Sequence, residues 1–271
     1  MRRRIARLGI IVMATYLAVC MFVTFWQEKL IYFPDRRYHS VPSDLRMPFS
    51  DLRLRTDDGI IIVAWHVPPP AEGAFTVIFA HGNAGNLSDR LDKIRQLHRM
   101  GCGVLAFDYR GYGGSEGRPG EEGTYLDALA AYDHLTGSLN VPAQRIIAMG
   151  ESLGGAVAIE LARRRPIAAL AVECTFTSLA DIGKAHYPLL PVGLLLRHRY
   201  DSLAKIDAIT CPKLVAHARN DTLVPFDQAR KLVDRAAQPK DFLETDGDHN
   251  TGGFFYNEES VQYLSDWLSK L

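Results

Sequence analysis

The sequence predicts an α/β fold, a mainly parallel sheet flanked by helices, preceded by an N-terminal transmembrane helix. Three observations predict it. Unbroken apolar runs such as Phe75–Ala80 and Val104–Phe107 alternate with longer segments of helical periodicity, and continuous rather than alternating strands are those buried on both faces. One run, Ile146–Met149, breaks into Gly150-Glu151-Ser152-Leu153-Gly154 and leaves as a helical pattern over Leu153–Arg164, giving strand, sharp turn and helix in succession. Leu8 to Trp26 is free of charge throughout.

Taken in order, Met1 to Arg7 is basic, and the uncharged run that follows spans roughly 28 Å as a helix, close to the ~30 Å of a hydrocarbon core. A cleaved signal peptide has a shorter apolar stretch ending in a small-x-small site, and none precedes Gln27. Leu17-Ala18-Val19-Cys20 resembles a lipoprotein cleavage box only loosely, because Val19 is bulky and the cysteine falls mid-run. Residues 1–29 are therefore expected to be an uncleaved anchor. Four arginines before the run, against Lys29, Arg36 and Arg37 after it, favour a cytoplasmic N-terminus with the remaining chain on the outer side. Phe25, Trp26, Tyr32 and Phe33 fit an interfacial aromatic belt, and Tyr32-Phe33-Pro34 with Pro42 and Pro48 reads as an extended connector.

Residues 30–271 are expected to form one domain. Leu52 and Leu54 alternate with arginines, Thr56 to Gly59 is a turn, and Ile60–Val67 is β-prone, which together predict an antiparallel hairpin. Strands follow at 75–80, 104–107, 146–149, 167–172, 213–218 and 241–245. Helices are expected at 91–100, 125–135, 153–164, 226–236 and 260–271.

Lys plus Arg (31) equals Asp plus Glu (31), so no global field would draw in nucleic acid. A small-molecule or acylated substrate is the expected partner, with the membrane reached through the N-terminal helix; oligomeric state is left open. The four cysteines show no metal-ligand spacing and read as small buried residues.

The Gly150-to-Gly154 motif is a G-x-S-x-G, in which Ser152 occupies the apex of a strained turn and both glycines make room for it. The following helix points free N–H groups at the serine. Together with His81-Gly82-Asn83-Ala84-Gly85-Asn86 and Asp108-Tyr109-Arg110-Gly111-Tyr112-Gly113-Gly114-Ser115, this passage resembles the α/β-hydrolase fold, and within it the membrane-anchored Bem46-like branch related to the ABHD serine hydrolases. The resemblance covers nearly everything from Leu30 onward. It implies that the backbone N–H groups of Asn83 and Leu153 form an oxyanion hole, and that Asp108 shapes its loop.

A serine hydroxyl needs a base within reach and an acid to hold that base in the right tautomer. Of the histidines after Ser152, His217 falls inside a strand, while His186 and His198 flank a proline-broken apolar segment. His249 lies in a loop after the last strand, from which it can swing back over the serine. Asp221 follows the preceding strand and matches the family's aspartate; Asp246 and Asp248 are expected to cap the His249 loop. His81 is expected to be structural.

Residues 176–210 occupy the position of a short lid, with Tyr187 to Leu196 as its apolar centre. That centre reads either as ordinary packing or as an acyl-chain wall near the membrane. The expected activity is serine hydrolysis of carboxylic esters or thioesters, of lipid or acyl-protein type, with no metal or other cofactor. An amidase or peptidase using the same residues, and a non-catalytic membrane-tethered binding protein, are the alternatives.

Overall fold

The computed structural model describes residues 2–271, so Met1, the first residue of the expected anchor, lies outside the described residues. Helix α1 covers Arg2–Ile31, about 45 Å at 1.5 Å per residue. Its most apolar window has a mean hydropathy of 2.3, and only Cys20 and Gln27 along it are buried. It is a candidate membrane span. Strand β1 (Phe33–Pro34) follows directly.

The hairpin β2 (Ser50–Arg55) and β3 (Ile61–Val67) is antiparallel, and its turn is closed by the Thr56 hydroxyl, which donates to Asp58 and accepts the Ile60 N–H. Next come β4 (Thr76–Ala80), β5 (Ala84–Gly85), α2 (Leu91–Arg99), β6 (Gly103–Phe107) and α3 (Glu121–Asp133). The chain continues through β7 (Ile146–Glu151), α4 (Leu153–Arg164), β8 (Ala169–Glu173), α5 (Leu179–His186) and α6 (Val192–Leu195). It closes with β9 (Lys213–Ala218), α7 (Phe226–Arg235), β10 (Lys240–Thr245) and α8 (Glu258–Leu268).

Eight strands form one sheet in the order β10-β9-β8-β7-β4-β6-β3-β2. The pairings from β10 through β6 are parallel, and β3 joins β6 antiparallel. Alternate residues of each central strand enter different cores. Ile78 and Ala148 face the layer containing α3, α4 and α7, whereas Val77, Phe79, Ile147 and Met149 face α2 and α8. Burial on both sides is why these strands read as unbroken apolar runs. Among the described residues all four cysteines are free.

Two features depart from the sequence reading. Tyr32, assigned there to an interfacial belt, is buried inside the domain with its hydroxyl 2.9 Å from that of Tyr200. The connector does not run free: β1 pairs in parallel with β5, Phe33 opposite Ala84 and Pro34 opposite Gly85. The segment 176–210 holds α5 and α6 and leans on α1, where the Tyr16 hydroxyl donates to the Leu189 carbonyl (3.1 Å) and the Gln27 side chain accepts the Arg197 N–H (2.8 Å).

Candidate active site

The site is assembled at the C-terminal ends of the parallel strands, where open α/β sheets expose their loops. β7 turns into α4 at Ser152, whose backbone (φ 51°, ψ −116°) lies where non-glycine residues are strained. The crowding behind it is local. A Cβ on Gly150 would run into the carbonyl of Gly154, and one on Gly154 into that of Ala80, so both positions must be glycine. The turn is held by the Ser152 N–H on the Glu173 carbonyl (2.9 Å) and the Thr175 hydroxyl on the Ser152 carbonyl (2.8 Å).

His249 reaches Ser152 from the loop after β10. Its Nε2 lies 2.9 Å from the serine Oγ and its Nδ1 2.7 Å from Asp221 Oδ2. Nδ1 donates to the carboxylate, leaving Nε2 to accept from the serine. Asp248 holds that loop by accepting the N–H groups of Asn250 (2.9 Å) and Thr251 (3.0 Å). Asp221, at the end of β9, is fixed by the N–H groups of Leu223 (2.9 Å) and Val224 (2.8 Å) on its other oxygen. The ring of His217 stands behind it, Nε2 bound to the Val224 carbonyl (2.9 Å) and 3.4 Å from Asp221. Burial pushes the His217 pKa down and keeps that ring neutral.

The loop after β4 supplies Asn83. Among the described residues its backbone N–H donates to no protein group. Leu153 is the first residue of α4, and the N–H at that position has no acceptor within the helix. Asn83 lines the same cleft as Ser152 and His249, a hollow of about 410 Å³. His81 is fully buried and donates from Nδ1 to the Gly82 carbonyl (2.6 Å). Asp108 accepts the Tyr38 hydroxyl (2.5 Å) and the Leu87 N–H (3.1 Å), shaping its loop.

The sequence reading passed over a charged floor to this cleft. Glu151, inside the motif, accepts the Gly82 N–H (2.9 Å) and is paired with Arg90 and Lys93. Lys93 also binds Glu173 (2.5 Å), whose other oxygen accepts the Phe254 N–H (2.7 Å). The chain Gly82, Glu151, Lys93, Glu173, Phe254 thus joins the Asn83 loop, the serine turn and the His249 loop. Burial opposes ionisation of Glu151, yet Lys93 and Arg90 hold its carboxyl well below the usual range. The available signal was Arg90 and Lys93 three residues apart at the start of α2, which in the sequence alone resembles any solvated helix face.

Cys174, His217 and Asp221 bring a thiol, a ring nitrogen and a carboxylate within 4.8 Å of one another. As a metal site they are poorly suited. Burial raises the Cys174 pKa to about 12, which keeps the thiol protonated, and both Asp221 oxygens already accept N–H groups.

Residues 72–189 match the profile of the family described as serine aminopeptidase, S33. The chain is 32% identical over 274 residues to the alpha/beta hydrolase domain-containing protein WAV2 of Arabidopsis thaliana, covering 93% of this chain and 85% of that one. The chain belongs to the α/β-hydrolase superfamily. The hydrolase is also 32% identical over 229 residues to lysophosphatidylserine lipase ABHD12 of Danio rerio, an alignment that takes in 69% of this chain and 58% of the relative. Among solved structures the esterase Pf2001 of Pyrococcus furiosus superposes with a TM-score of 0.74, 24% identity, and 88% and 98% of the two chains covered. That likeness is one of fold.

Proposed function

We propose that this hydrolase is a membrane-anchored serine hydrolase that cleaves carboxylic ester or thioester bonds of lipid or acyl-protein type substrates through an acyl-enzyme. The observation that carries the reading is the hydrogen-bonded series Asp221, His249, Ser152 at a cleft. In this mechanism Ser152 attacks the acyl carbonyl while His249 Nε2 takes its proton, and Asp221 stabilises the imidazolium. The N–H groups of Asn83 and Leu153 receive the oxyanion. His249 then protonates the leaving group, and water repeats the sequence to release the acid.

Amphiphilic substrates are favoured by the lid. Tyr187 to Leu196 carries no charge, and Leu189 and Leu194 are 86% and 87% exposed. Leu189 is tied to Tyr16, which lies about 15 Å along the helix from Trp26. With residues 1–29 as anchor, the tip of the lid (residues 176–210) reaches into the leaflet on the side of the catalytic domain, residues 30–271. The excess of basic residues before the anchor favours that domain on the outer side with the N-terminus cytoplasmic. The name of the Danio rerio relative makes a lysophospholipid the first substrate class to assay.

An aminopeptidase must bind an α-ammonium group with a free carboxylate. The two glutamates of the cleft, Glu151 and Glu173, are both taken up by Lys93, and the third carboxylate lining it, Asp89, accepts the Asn86 N–H (2.9 Å), which favours the ester reading over the peptidase one. The test is p-nitrophenyl ester release across acyl lengths in detergent, wild type beside Ser152→Ala. The variant is expected to lose activity by roughly 10⁴-fold or more. Equal activity in the two proteins, or equal inertness with no phosphonate labelling of Ser152, would reject it.

A further inference from the structure

We propose that the segment leaving the membrane helix, Ile31 to Asp35, is a positioning element of the oxyanion hole, so that α1 and the Asn83 N–H form one mechanical unit. The inference rests on the serine-hydrolase reading above.

The polar groups around the Asn83 N–H are held from two directions. On its own side of the molecule, the Gly82 carbonyl, which shares the peptide plane of that N–H, accepts His81 Nδ1 (2.6 Å). The rest is held by the connector. Asn83 Nδ2 donates to the carbonyl of Ile31, the last residue of α1 (2.7 Å). The Asn83 carbonyl accepts the Phe33 N–H (3.0 Å) and the Tyr112 hydroxyl (2.8 Å). Two residues further, the Gly85 carbonyl accepts the Asp35 N–H (3.0 Å). Among the described residues the Asn83 N–H itself donates to no protein group in this arrangement.

The connector is itself rigidly continuous with the helix. The Tyr32 N–H binds the Glu28 carbonyl (2.9 Å), so helical bonding runs to the residue before β1, and the buried Tyr32 ring is clamped through Tyr200. At its far end the Asp35 carbonyl accepts the Gly113 N–H (2.8 Å), and Arg36 binds the Ser115 carbonyl (2.9 Å). A displacement of α1 is therefore delivered to Asn83 with no slack segment between. An oxyanion donor works only at its aimed position, and its complete loss costs about 10²–10³-fold in kcat.

The experiment uses the full-length protein in detergent. Asn83→Ala keeps the backbone N–H but removes the bond to Ile31; Phe33→Pro removes the donor to the Asn83 carbonyl and leaves Asn83 intact. Rates on a short-chain p-nitrophenyl ester are expressed per serine titrated with a phosphonate, which counts correctly folded sites. Both variants are expected to lose about ten- to a hundred-fold in kcat with KM within about three-fold of wild type. Affinity for a boronic acid that mimics the tetrahedral intermediate should fall by the same factor. The double variant should lose less than the product of the two single losses, because both act through one group.

If Phe33→Pro does not titrate, Asn83→Ala decides alone. Wild-type kcat and boronate affinity per titrated serine, beside an inactive Ser152→Ala, would overturn the proposal and leave the hydrolase reading standing. Retained activity in Ser152→Ala would instead overturn the hydrolase reading and this inference with it.

Discussion

Lys93 sits where three loops of the site meet, and its single ammonium group answers two carboxylates that would otherwise face each other across the cleft floor. Replacing it by methionine keeps the packing of the stem but leaves Glu151 and Glu173 uncompensated. Removing one partner of such a buried group costs about 3 kcal/mol, at the low end of the range because Lys93 is a quarter exposed. Lys93→Met should therefore lower the thermal midpoint and reduce kcat, since Glu151 holds Gly82 and Glu173 holds Phe254. A variant with unchanged midpoint and turnover would mean that the carboxylates find water instead. At this scale the sequence was informative in an uneven way. Ser152, Asp221 and His249 were legible because each occupies a loop after a strand in a known order. Lys93 and Glu173 were not, because their pairing is made by the fold.

Among the elements, the proposed lid, residues 176–210, is built on α5 and α6. Both helices are short, and the apolar stretch Tyr187 to Leu196, which leaves α5 and takes in α6, carries two prolines that have no N–H to satisfy. Several of the remaining amides bond within the segment, Leu190 to Tyr187, Val192 to Leu190 and Leu196 to Val192 among them. Such internal pairing suits an apolar surrounding, where unpaired backbone groups are costly. Converting Leu189 and Leu194 together to aspartate is expected to leave hydrolysis of p-nitrophenyl acetate within about two-fold. Hydrolysis of a lysophospholipid in vesicles should fall about ten-fold or more, since each charge placed in hydrocarbon costs about 2–3 kcal/mol. Parallel loss on both substrates would assign the lid to packing alone. The apolar centre of the lid was visible in the sequence, but its position beside Tyr16 was not, because that contact joins residues 173 apart.

Across the whole molecule, the helix layer of α3 and α4 is tied by Glu160, buried on α4 and clasped by Arg163, Arg164 and Lys205. Arg164 continues to Glu122 on α3, so this carboxylate links two helices to the chain that returns from the lid. Burial opposes its ionisation, but the hydrogen bonds from Arg163, Lys205 and Arg164 lower its pKa to about 2 from an ordinary 4.5. With the folded value below the unfolded one, the carboxylate contributes stability in full above pH 4.5 and loses it as pH falls towards 2. Glu160→Gln should accordingly be less stable at pH 7, and its thermal midpoint should decline less than that of wild type between pH 5 and pH 3. Parallel declines would assign the acid sensitivity to other carboxylates.

The sequence by itself determined the sheet, the strand-turn-helix at Ser152, the order of the three candidate residues and the apolar helix ahead of them. These are local properties: periodicity, glycine where a Cβ has no room, and the side on which a loop must emerge. What the tertiary structure decided is how the N-terminal segment meets the site. Phe33 and Pro34 are too few to read as a strand, and nothing in a Tyr-Phe-Pro connector announces that it will pair with Ala84 and Gly85. That pairing exists because the carbonyls of Asn83 and Gly85 meet the N–H groups of Phe33 and Asp35 where the chain leaving α1 passes this loop, a contact between residues about fifty apart in the chain.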